Sequence, residues 1–249
     1  MIHYKTEKEI EVSIEGGKKL RKVVSMLLPK VKVGMTTSEI DLEAERLIKK
    51  EGGEPAFKKV KGFFWTTCLP INEQVVHTPP SERRLKDGDI ITVDIGLTYK
   101  GFNTDFATTF VVGRSNEKID RFLKIGQQTL YRAIDKAKEG QFLGEISKAI
   151  ETNIYKNGYF ILKQLTGHGI GRKLHEDPFI PGFIDRPVEK TVKIKSGLII
   201  AIEVIYSMGS EDIAYEKDND WSIISADKSL TACFEHTIAI LDKQTIVLT

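Results

Sequence analysis

Asp94 and Asp105 open and close the stretch DIGLTYKGFNTD, which is typical of two strands joined by a turn. Strands are usually poor in Asp, and a buried carboxylate without a partner is costly. If the turn is centred on Lys100 and Gly101, strand alternation places both acids on one face as diagonal neighbours, about 7–8 Å apart between Cα atoms. A turn shifted by one residue would put them on opposite faces. The stretch therefore predicts either a carboxylate pair that binds a cation or two solvent-exposed acids.

Three further residues in the second half of the chain offer ligand atoms. Glu203 stands in the apolar segment GLIIAIEVIY, Glu235 in TACFEHTIAI, and His168 in the glycine-rich TGHGIGRKLH. Each alone is explained by a paired core acid or by a hydrogen-bonded turn histidine. Together with the two aspartates they amount to four carboxylates and one imidazole. This donor set suits a two-metal site with bridging carboxylates that would take Mn, Fe, Co or Zn.

The elements that must position these residues are helices followed by strands. Apolar spacing predicts helices over residues 7–28, 36–50, 115–139 and 144–157, and Thr36 with Glu39 has the form of a capping box. Strand-like segments are FFWTTCLPINEQVVHT, DIITVDIGLTYKGFNTDFATTFVVG and most of the chain after Tyr159.

The chain also repeats itself. KVG and EI in the second predicted helix region match KEG and EI further along, and KDGDIITVD at 86–94 matches KSGLIIAIE at 195–203. Helix, helix and an acid-bearing strand thus occur twice in one order. The pattern predicts an α/β (α+β) fold, with residues 1–249 as a single catalytic domain. Its two similar halves would span roughly residues 8–113 and 114–249, and each would contribute carboxylates to a central site.

The composition excludes several classes of protein. The 249 residues carry 37 basic and 35 acidic side chains, a net charge of +2, which gives no support for specific nucleic-acid binding. The first residues have no apolar signal core, and no apolar run reaches the ~20 residues that cross a bilayer. Two cysteines imply no disulfide framework, so we expect a cytoplasmic protein without membrane contact.

Several motifs then occur in an order that resembles one family. DIGLTYKGFNTD, GHGIGRKLHEDP, AIEV and FEHT, with GMTTSEID, INEQVVH and DNDW, are similar to the motifs of type I methionine aminopeptidases from about residue 8 to the end. The resemblance implies the pita-bread fold, in which two pseudo-symmetric halves with curved antiparallel sheets are backed by helices. It also implies removal of the initiator methionine from N-terminal Met peptides and nascent chains by a monomer, with the ribosome as a possible contact.

The resemblance also implies how the ligands share two divalent ions. Asp94 would be a terminal ligand of one ion, Asp105 and Glu235 would bridge both, and His168 with Glu203 would complete the other. A metal-activated hydroxide would attack the first peptide carbonyl, and Glu203 would act as general base.

Further roles follow from the same resemblance. His175 would donate a hydrogen bond to the carbonyl oxygen, and His77 would position the substrate. The residues at the positions of the methionine pocket are Phe63, Cys68, Leu174 and Trp221. For Phe63 an ordinary core position is the competing interpretation, while His3 and His236 are expected to have no catalytic role.

The chain departs from the family pattern at a few positions, and two other functions remain open. Thr78-Pro79 follows His77, Val204 follows Glu203, and Cys233 stands where Gln is usual, while Leu174 replaces a common Phe. The alternatives are an Xaa-Pro-type exopeptidase of the same fold and a non-catalytic peptide-binding relative. The first commonly has an additional N-terminal domain, and the second typically loses metal ligands.

Overall fold

The computed structural model describes residues 1–249 and contains four α-helices. They are α1 Glu7–Leu27, α2 Thr37–Lys50, α3 Glu117–Ile134 and α4 Leu143–Lys156. The first two begin with capping boxes, in which Thr6 pairs with Glu9 and Thr36 pairs with Glu39. None of the four is long and apolar enough to cross a membrane.

Thirteen strands follow the two pairs of helices, five after α2 and eight after α4. They are β1 Glu54–Pro55, β2 Thr67–Cys68, β3 Gln74–Val76, β4 Ile90–Tyr99, β5 Phe102–Val111, β6 Phe160–Ile161, β7 Thr166–Gly169, β8 Glu176–Pro181, β9 Leu198–Ser207, β10 Ile213–Tyr215, β11 Ile223–Ser225, β12 Thr231–Ile240 and β13 Thr245–Val247.

One large antiparallel sheet runs through the molecule in the order β1-β4-β5-β12-β9-β7-β8. β2 is added beside β4, β6 beside β9 and β13 beside β12, while β10, β11 and β3 form a separate three-stranded sheet. The two longest ladders are β4–β5 and β9–β12, each ten residues long, and they meet where β5 lies next to β12. The centre of the sheet is therefore a junction between two strand pairs, the β4–β5 hairpin and the β9–β12 pair, which we call the second hairpin although β10 and β11 lie between its strands in sequence.

Each of these ladders has its own hydrophobic core. α1 and α2 pack with β4 in a core that includes Leu20, Ile40 and Ile95, all fully buried. α3 and α4 pack with β9 and β12 in a second core that includes Phe122 and Ile202. The helix–helix–hairpin order thus occurs twice. The division of the chain at residues 113 and 114 stays a prediction.

Two element predictions from the sequence need correction. The helix predicted over residues 115–139 ends at Ile134, because Ala137 turns back into the core and Gly140 adopts a φ of +83°. The segment FFWTTCLPINEQVVHT forms only the short strands β2 and β3. Between them Pro70 lacks a donor for the ladder, and Asn72 has a φ of +60°.

Candidate active site with a metal-binding centre

The first hairpin has the register that the Lys100–Gly101 turn predicts. Gly96 lies opposite Asp105 and Asp94 lies opposite Ala107. Both acids therefore share one face of the sheet, and Asp105 is 4% exposed. A Cβ on Gly96 would come within 2.8 Å of the Phe57 ring, so this position admits only glycine while Phe57 packs there.

The second hairpin brings its two acids into direct opposition. Glu203 on β9 pairs with Glu235 on β12, and Glu235 in turn pairs with Ala107 across the central junction. Directly opposite residues share a face, so the acids of both hairpins converge on the same surface of the sheet.

His168 lies at the end of β7, next to β9. Its Nδ1 lies 2.9 Å from the carbonyl oxygen of Gly169, which can only accept, so Nδ1 carries the proton. The neutral ring then presents an unprotonated Nε2, which lies 3.4 Å from Oε1 of Glu203. Burial, and then the nearby His175, lower the pKa of His168 to about 4. The ring is therefore neutral at pH 7, and its Nε2 is free to bind a metal ion.

The donor atoms fit a divalent metal ion. Ligand atoms of Asp105, His168 and Glu235 all lie within 4.8 Å of one another, and all three residues are buried. Oδ1 of Asp94 and Oε1 of Glu235 are buried without any hydrogen-bond partner. A buried carboxylate oxygen with no donor is costly, and a cation shared among these oxygens removes that cost.

The raised pKa values of the acids in the metal-free protein also indicate a cation site. Burial, and then repulsion from Asp105 and Glu203, raise the pKa of Asp94 well above its ordinary value. Burial and the same two neighbours do so for Glu235. Burial also raises the pKa of Asp105, to about 7, against a lowering by the amide of Phe106. Four carboxylates in one place are thus held ionised at neutral pH only at considerable cost, as is usual for ligand sites.

An apolar wall rises beside the acidic cluster. The Phe63 ring lies edge-on to both tryptophan rings, with centroids 5.2 Å from Trp65 and 5.2 Å from Trp221. Leu174 packs against the same cluster. Cys68 lies opposite Asp94 in the β2–β4 pair, and burial raises the pKa of its thiol well above normal. Cys68 is therefore a neutral part of the wall.

Two histidines flank the cluster. The ring of His175 lies 4.4 Å from that of His168, centroid to centroid. Burial lowers the pKa of His175 and of His77, with His175 adding to the effect on His77, so both are neutral at pH 7. His77 has a φ of +58°, a left-handed conformation that costs a non-glycine residue about 1–3 kcal/mol. The hydroxyl of Thr78, within 2.8 Å of that of Ser222, helps to maintain it.

Threonines on either side of the central junction complete the backbone hydrogen bonding. Thr237 Oγ1 accepts from the amide of Asp105 at 2.8 Å and donates to its carbonyl at 2.9 Å. Thr109 Oγ1 does the same for Cys233, at 2.9 Å from its amide and 2.8 Å from its carbonyl. Ladder pairing between β5 and β12 is confined to Glu235–Ala107 and His236–Phe106, so these hydroxyls replace main-chain bonds where the ladder stops.

All the site residues predicted from the sequence line one cavity of about 140 Å³. They are His77, His175, Glu203, Phe63, Cys68, Leu174, Trp221, Asp94, Asp105, His168 and Glu235. His236 points elsewhere, between the rings of Phe106 and Tyr131. The individual roles of the cavity-lining residues stay predictions.

Four lining residues were not predicted: Phe57, Val60, Val76 and Cys233. Strand alternation from Glu235 would have found Cys233, and adjacency to His77 suggests Val76. Phe57 and Val60 lie around a short 3₁₀ turn and have no sequence pattern that marks them. Of the departures from the family pattern, Cys233 lines the cavity, while Val204 is fully buried in the core on the other face.

An antiparallel sheet whose two hairpins gather carboxylates and an imidazole on one face defines a metal-dependent hydrolase of the pita-bread type. The chain belongs to Metallopeptidase family M24, whose profile matches residues 14–242. Its relatives identify the branch. A methionine aminopeptidase of Clostridium perfringens is 39% identical over 249 residues, which cover 100% of this chain and 99% of that protein.

Solved structures agree with these sequence relatives. The crystal structure of methionine aminopeptidase from Thermotoga maritima has a TM-score of 0.95 and 33% identity, covering 100% of this chain and 99% of that one. Prolidase from Pyrococcus furiosus has a TM-score of 0.80 and 26% identity, and the chain covers 65% of it. The predicted fold and the predicted resemblance to methionine aminopeptidases are confirmed.

Proposed function

We propose that this protein removes the N-terminal methionine from polypeptides with the help of two divalent metal ions. One observation carries the proposal: a single cavity combines a buried cluster of carboxylates and an imidazole with an apolar wall of aromatic rings and a thiol. The full-length similarity to methionine aminopeptidases supports it.

The ligands assigned to the ions are those predicted from the sequence. Asp105 and Glu235 would be shared by both ions, Asp94 would bind one, and His168 with Glu203 would bind the other. Ions of this kind, when bound, activate water for attack on a carbonyl near neutral pH. The metal is Mn, Fe, Co or Zn, given four carboxylates with one imidazole.

Glu203 is the candidate proton carrier of the reaction. It lines the cavity, and its side chain is 14% exposed, more than that of His168 at 4%. Burial, and then repulsion from Asp105, raise the pKa of Glu203 well above its ordinary value. A carboxylate with a raised pKa takes a proton from the attacking water and passes it to the leaving amine more readily.

The neutral histidines act on the substrate carbonyl. An N–H of His175 would donate to the carbonyl oxygen as negative charge develops there, which a positioned donor stabilises by about 3–4 kcal/mol. His77 would hold the peptide on the same side. Because burial keeps both rings uncharged, they add donors without opposing the cations.

The apolar wall suits a methionine side chain. A thioether gains about 0.3–1.5 kcal/mol from each contact with an aromatic edge, and an unbranched chain adapts to an irregular wall. Phe63 and Trp221 provide those edges, and Leu174 packs beside them. The free α-amine would lie among the carboxylates, which restricts cleavage to the first residue of a chain.

The expected setting is that of a cytoplasmic monomer acting on nascent chains, with the ribosome as the contact that supplies them. Both cysteines are buried and free, as a reducing compartment allows. Size-exclusion chromatography tests the monomer, and co-sedimentation with ribosomes tests the contact.

The decisive experiment compares two peptides. Purified protein is stripped with chelator, reloaded separately with Mn, Fe, Co or Zn, and given Met-Ala-Ser or an Xaa-Pro peptide. We expect metal-dependent release of free methionine from the first and no cleavage of N-acetylated Met-Ala-Ser. Cleavage of the Xaa-Pro peptide alone would identify the alternative exopeptidase, and no cleavage with any metal would identify a peptide-binding relative.

Two variants distinguish the effect of a proposed metal ligand from that of an exposed acid elsewhere on the protein. Glu235→Gln should lose both metal and activity, because a neutral amide with one oxygen cannot replace a carboxylate shared by two ions. Glu117→Gln changes an exposed residue in the first turn of α3 and should retain both. Calorimetric titration with Mn measures the stoichiometry of each variant, and unchanged stoichiometry in Glu235→Gln would contradict the ligand assignment.

A further inference from the structure

His175 is carried by a loop, and its position depends on what holds that loop. Residues 170–175, the His175 loop, connect β7 to β8, which begins at Glu176, and also carry Leu174. Asn103 fixes one end, since its side-chain amide donates to the carbonyls of Gly171 at 2.8 Å and Arg172 at 3.2 Å. Asn103 lies on β5, near Asp105. The loop is thus tied to the acidic cluster at its beginning but needs a second restraint beside His175.

A buried ion pair provides that restraint. Lys5 Nζ donates to Oε2 of Glu176 at 2.7 Å, and the exposed fractions of the two side chains are 1% and 13%. The second carboxylate oxygen of Glu176 accepts from the amide of Lys173 at 3.0 Å. Glu176 follows His175 directly, so its carboxylate is bonded on one side to the loop itself and on the other to Lys5.

Lys5 is fixed in turn by its surroundings. Its amide donates to the carbonyl of Gly197 at 2.7 Å, immediately before β9, and its ammonium donates to the carbonyl of His3 at 3.1 Å. A Cβ on Gly171 would lie 2.6 Å from Cε of Lys5, so only glycine allows this approach. The backbone thus fixes Lys5, and the glycine at position 171 makes room for its side chain. An incidental surface pair would need neither.

A neighbouring pair on the same segment is different. Arg172 Nη2 lies 3.1 Å from Oε1 of Glu9, but the Arg172 side chain is 64% exposed. Exposed pairs contribute little, whereas breaking one partner of a buried pair is costly because the other charge stays buried. The restraint on the loop thus depends on Lys5 and Glu176.

We propose that Lys5 and Glu176 are positioning residues that hold the His175 loop, and thereby the His175 ring, in register with the metal ligands. This inference rests on the proposed function, in which His175 donates to the substrate carbonyl. The pair itself touches neither the substrate nor a ligand. Its loss displaces the donor that stabilises developing charge, so turnover falls while the bound metal and the methionine pocket remain.

The test is a double-mutant cycle with Lys5→Met, Glu176→Gln and the combination of both. Each single variant should lower kcat for Met-Ala-Ser by about 10- to 100-fold, the cost of moving a catalytic group by about 1 Å. KM and Mn affinity should stay within about twofold, and the double variant should be no slower than the slower single variant, because one pair is lost only once. Lys100→Met, which breaks an exposed pair with Glu15, is the matched control and should leave kcat unchanged.

Stability is measured alongside activity. Lys5→Met leaves a buried carboxylate without its cation and can unfold the protein, whereas Glu176→Gln keeps an acceptor for the Lys173 amide. Unchanged kcat in a folded Glu176→Gln variant would overturn the inference. A parallel loss of metal would also overturn it, and so would multiplicative effects of the two substitutions.

A spectroscopic readout separates this inference from the proposed function. In ¹⁵N-labelled protein, the imidazole resonances of His175 should shift or broaden in Lys5→Met and Glu176→Gln, while those of His236 stay unchanged. If the wild-type protein releases no methionine, the proposed function fails, but the His175 resonances still test the pair. If the wild-type protein is active and the resonances do not move, only this inference fails.

Discussion

Replacing Asp105 by Asn should stabilise the metal-free protein and destabilise the metal-loaded one. Asp105 is fully enclosed among acidic neighbours, and burial raises its pKa to about 7. In the unfolded chain an aspartate has a pKa near ~3.9. Asn has nearly the same shape, and its oxygen can still accept from the amide of Phe106, as Oδ1 of Asp105 does at 3.0 Å.

The pH dependence of stability follows from the raised pKa of Asp105. Because the folded-state pKa is raised, the acid costs no stability below about pH 4, where both states are protonated. The cost grows as the pH rises between the two pKa values and is complete above pH 7, where it reaches about 4 kcal/mol. Between pH 5 and pH 8 the metal-free wild-type protein should therefore lose about 3 kcal/mol relative to the Asn variant.

The assay is urea unfolding followed by tryptophan fluorescence, with chelator present, at several values of pH. The free energy of unfolding of Asp105→Asn should exceed that of the wild-type protein by an amount that increases with pH. With saturating Mn the order should reverse, because only the wild-type site gains binding free energy. A difference that is independent of pH, or a less stable variant without metal, would refute the reasoning from buried charge.

Three further variants test separate parts of the site. His175→Ala should lower kcat by about 10²–10³-fold with metal content unchanged, and loss of metal on calorimetric titration would show that the ring is a ligand. Thr237→Val removes the only side-chain acceptor of the Asp105 amide and one of two hydroxyl donors to its carbonyl, the other being Thr249. It should lower the free energy of unfolding by about 1–3 kcal/mol, against little change for Thr108→Val on the other face; equal effects would contradict it. Phe63→Ala should raise KM for Met-Ala-Ser by up to about tenfold, since it removes an aromatic contact worth about 0.3–1.5 kcal/mol to the thioether, and an unaltered KM would place methionine elsewhere.

Local patterns in the sequence predicted much of this molecule. The register of the first hairpin follows from one turn at Lys100 and Gly101, because strand alternation then determines which side chains share a face. The capping box at Thr36 likewise depends on residues three positions apart. The family resemblance extended this to the second half of the chain.

What the sequence could not predict depends on contacts between distant segments. The direct opposition of Glu203 and Glu235 requires a ladder between strands that are separated by β10 and β11. The approach of Phe57 to the cavity depends on the space above Gly96, and the Lys5–Glu176 pair joins residues 171 positions apart in the chain. None of these contacts leaves a periodic pattern.

The hydroxyl groups of Thr109 and Thr237 have a consequence for how the halves of the molecule align. β5 and β12 share only two paired positions, so their ladder alone resists sliding weakly. A slip of one residue would turn the acids to the wrong face. A slip of two would take the hydroxyl acceptors away from the buried amides of Asp105 and Cys233, at about 1–3 kcal/mol each. The hydroxyls of Thr109 and Thr237, which bind no ion, thus help to set the distance between the acids of the two hairpins.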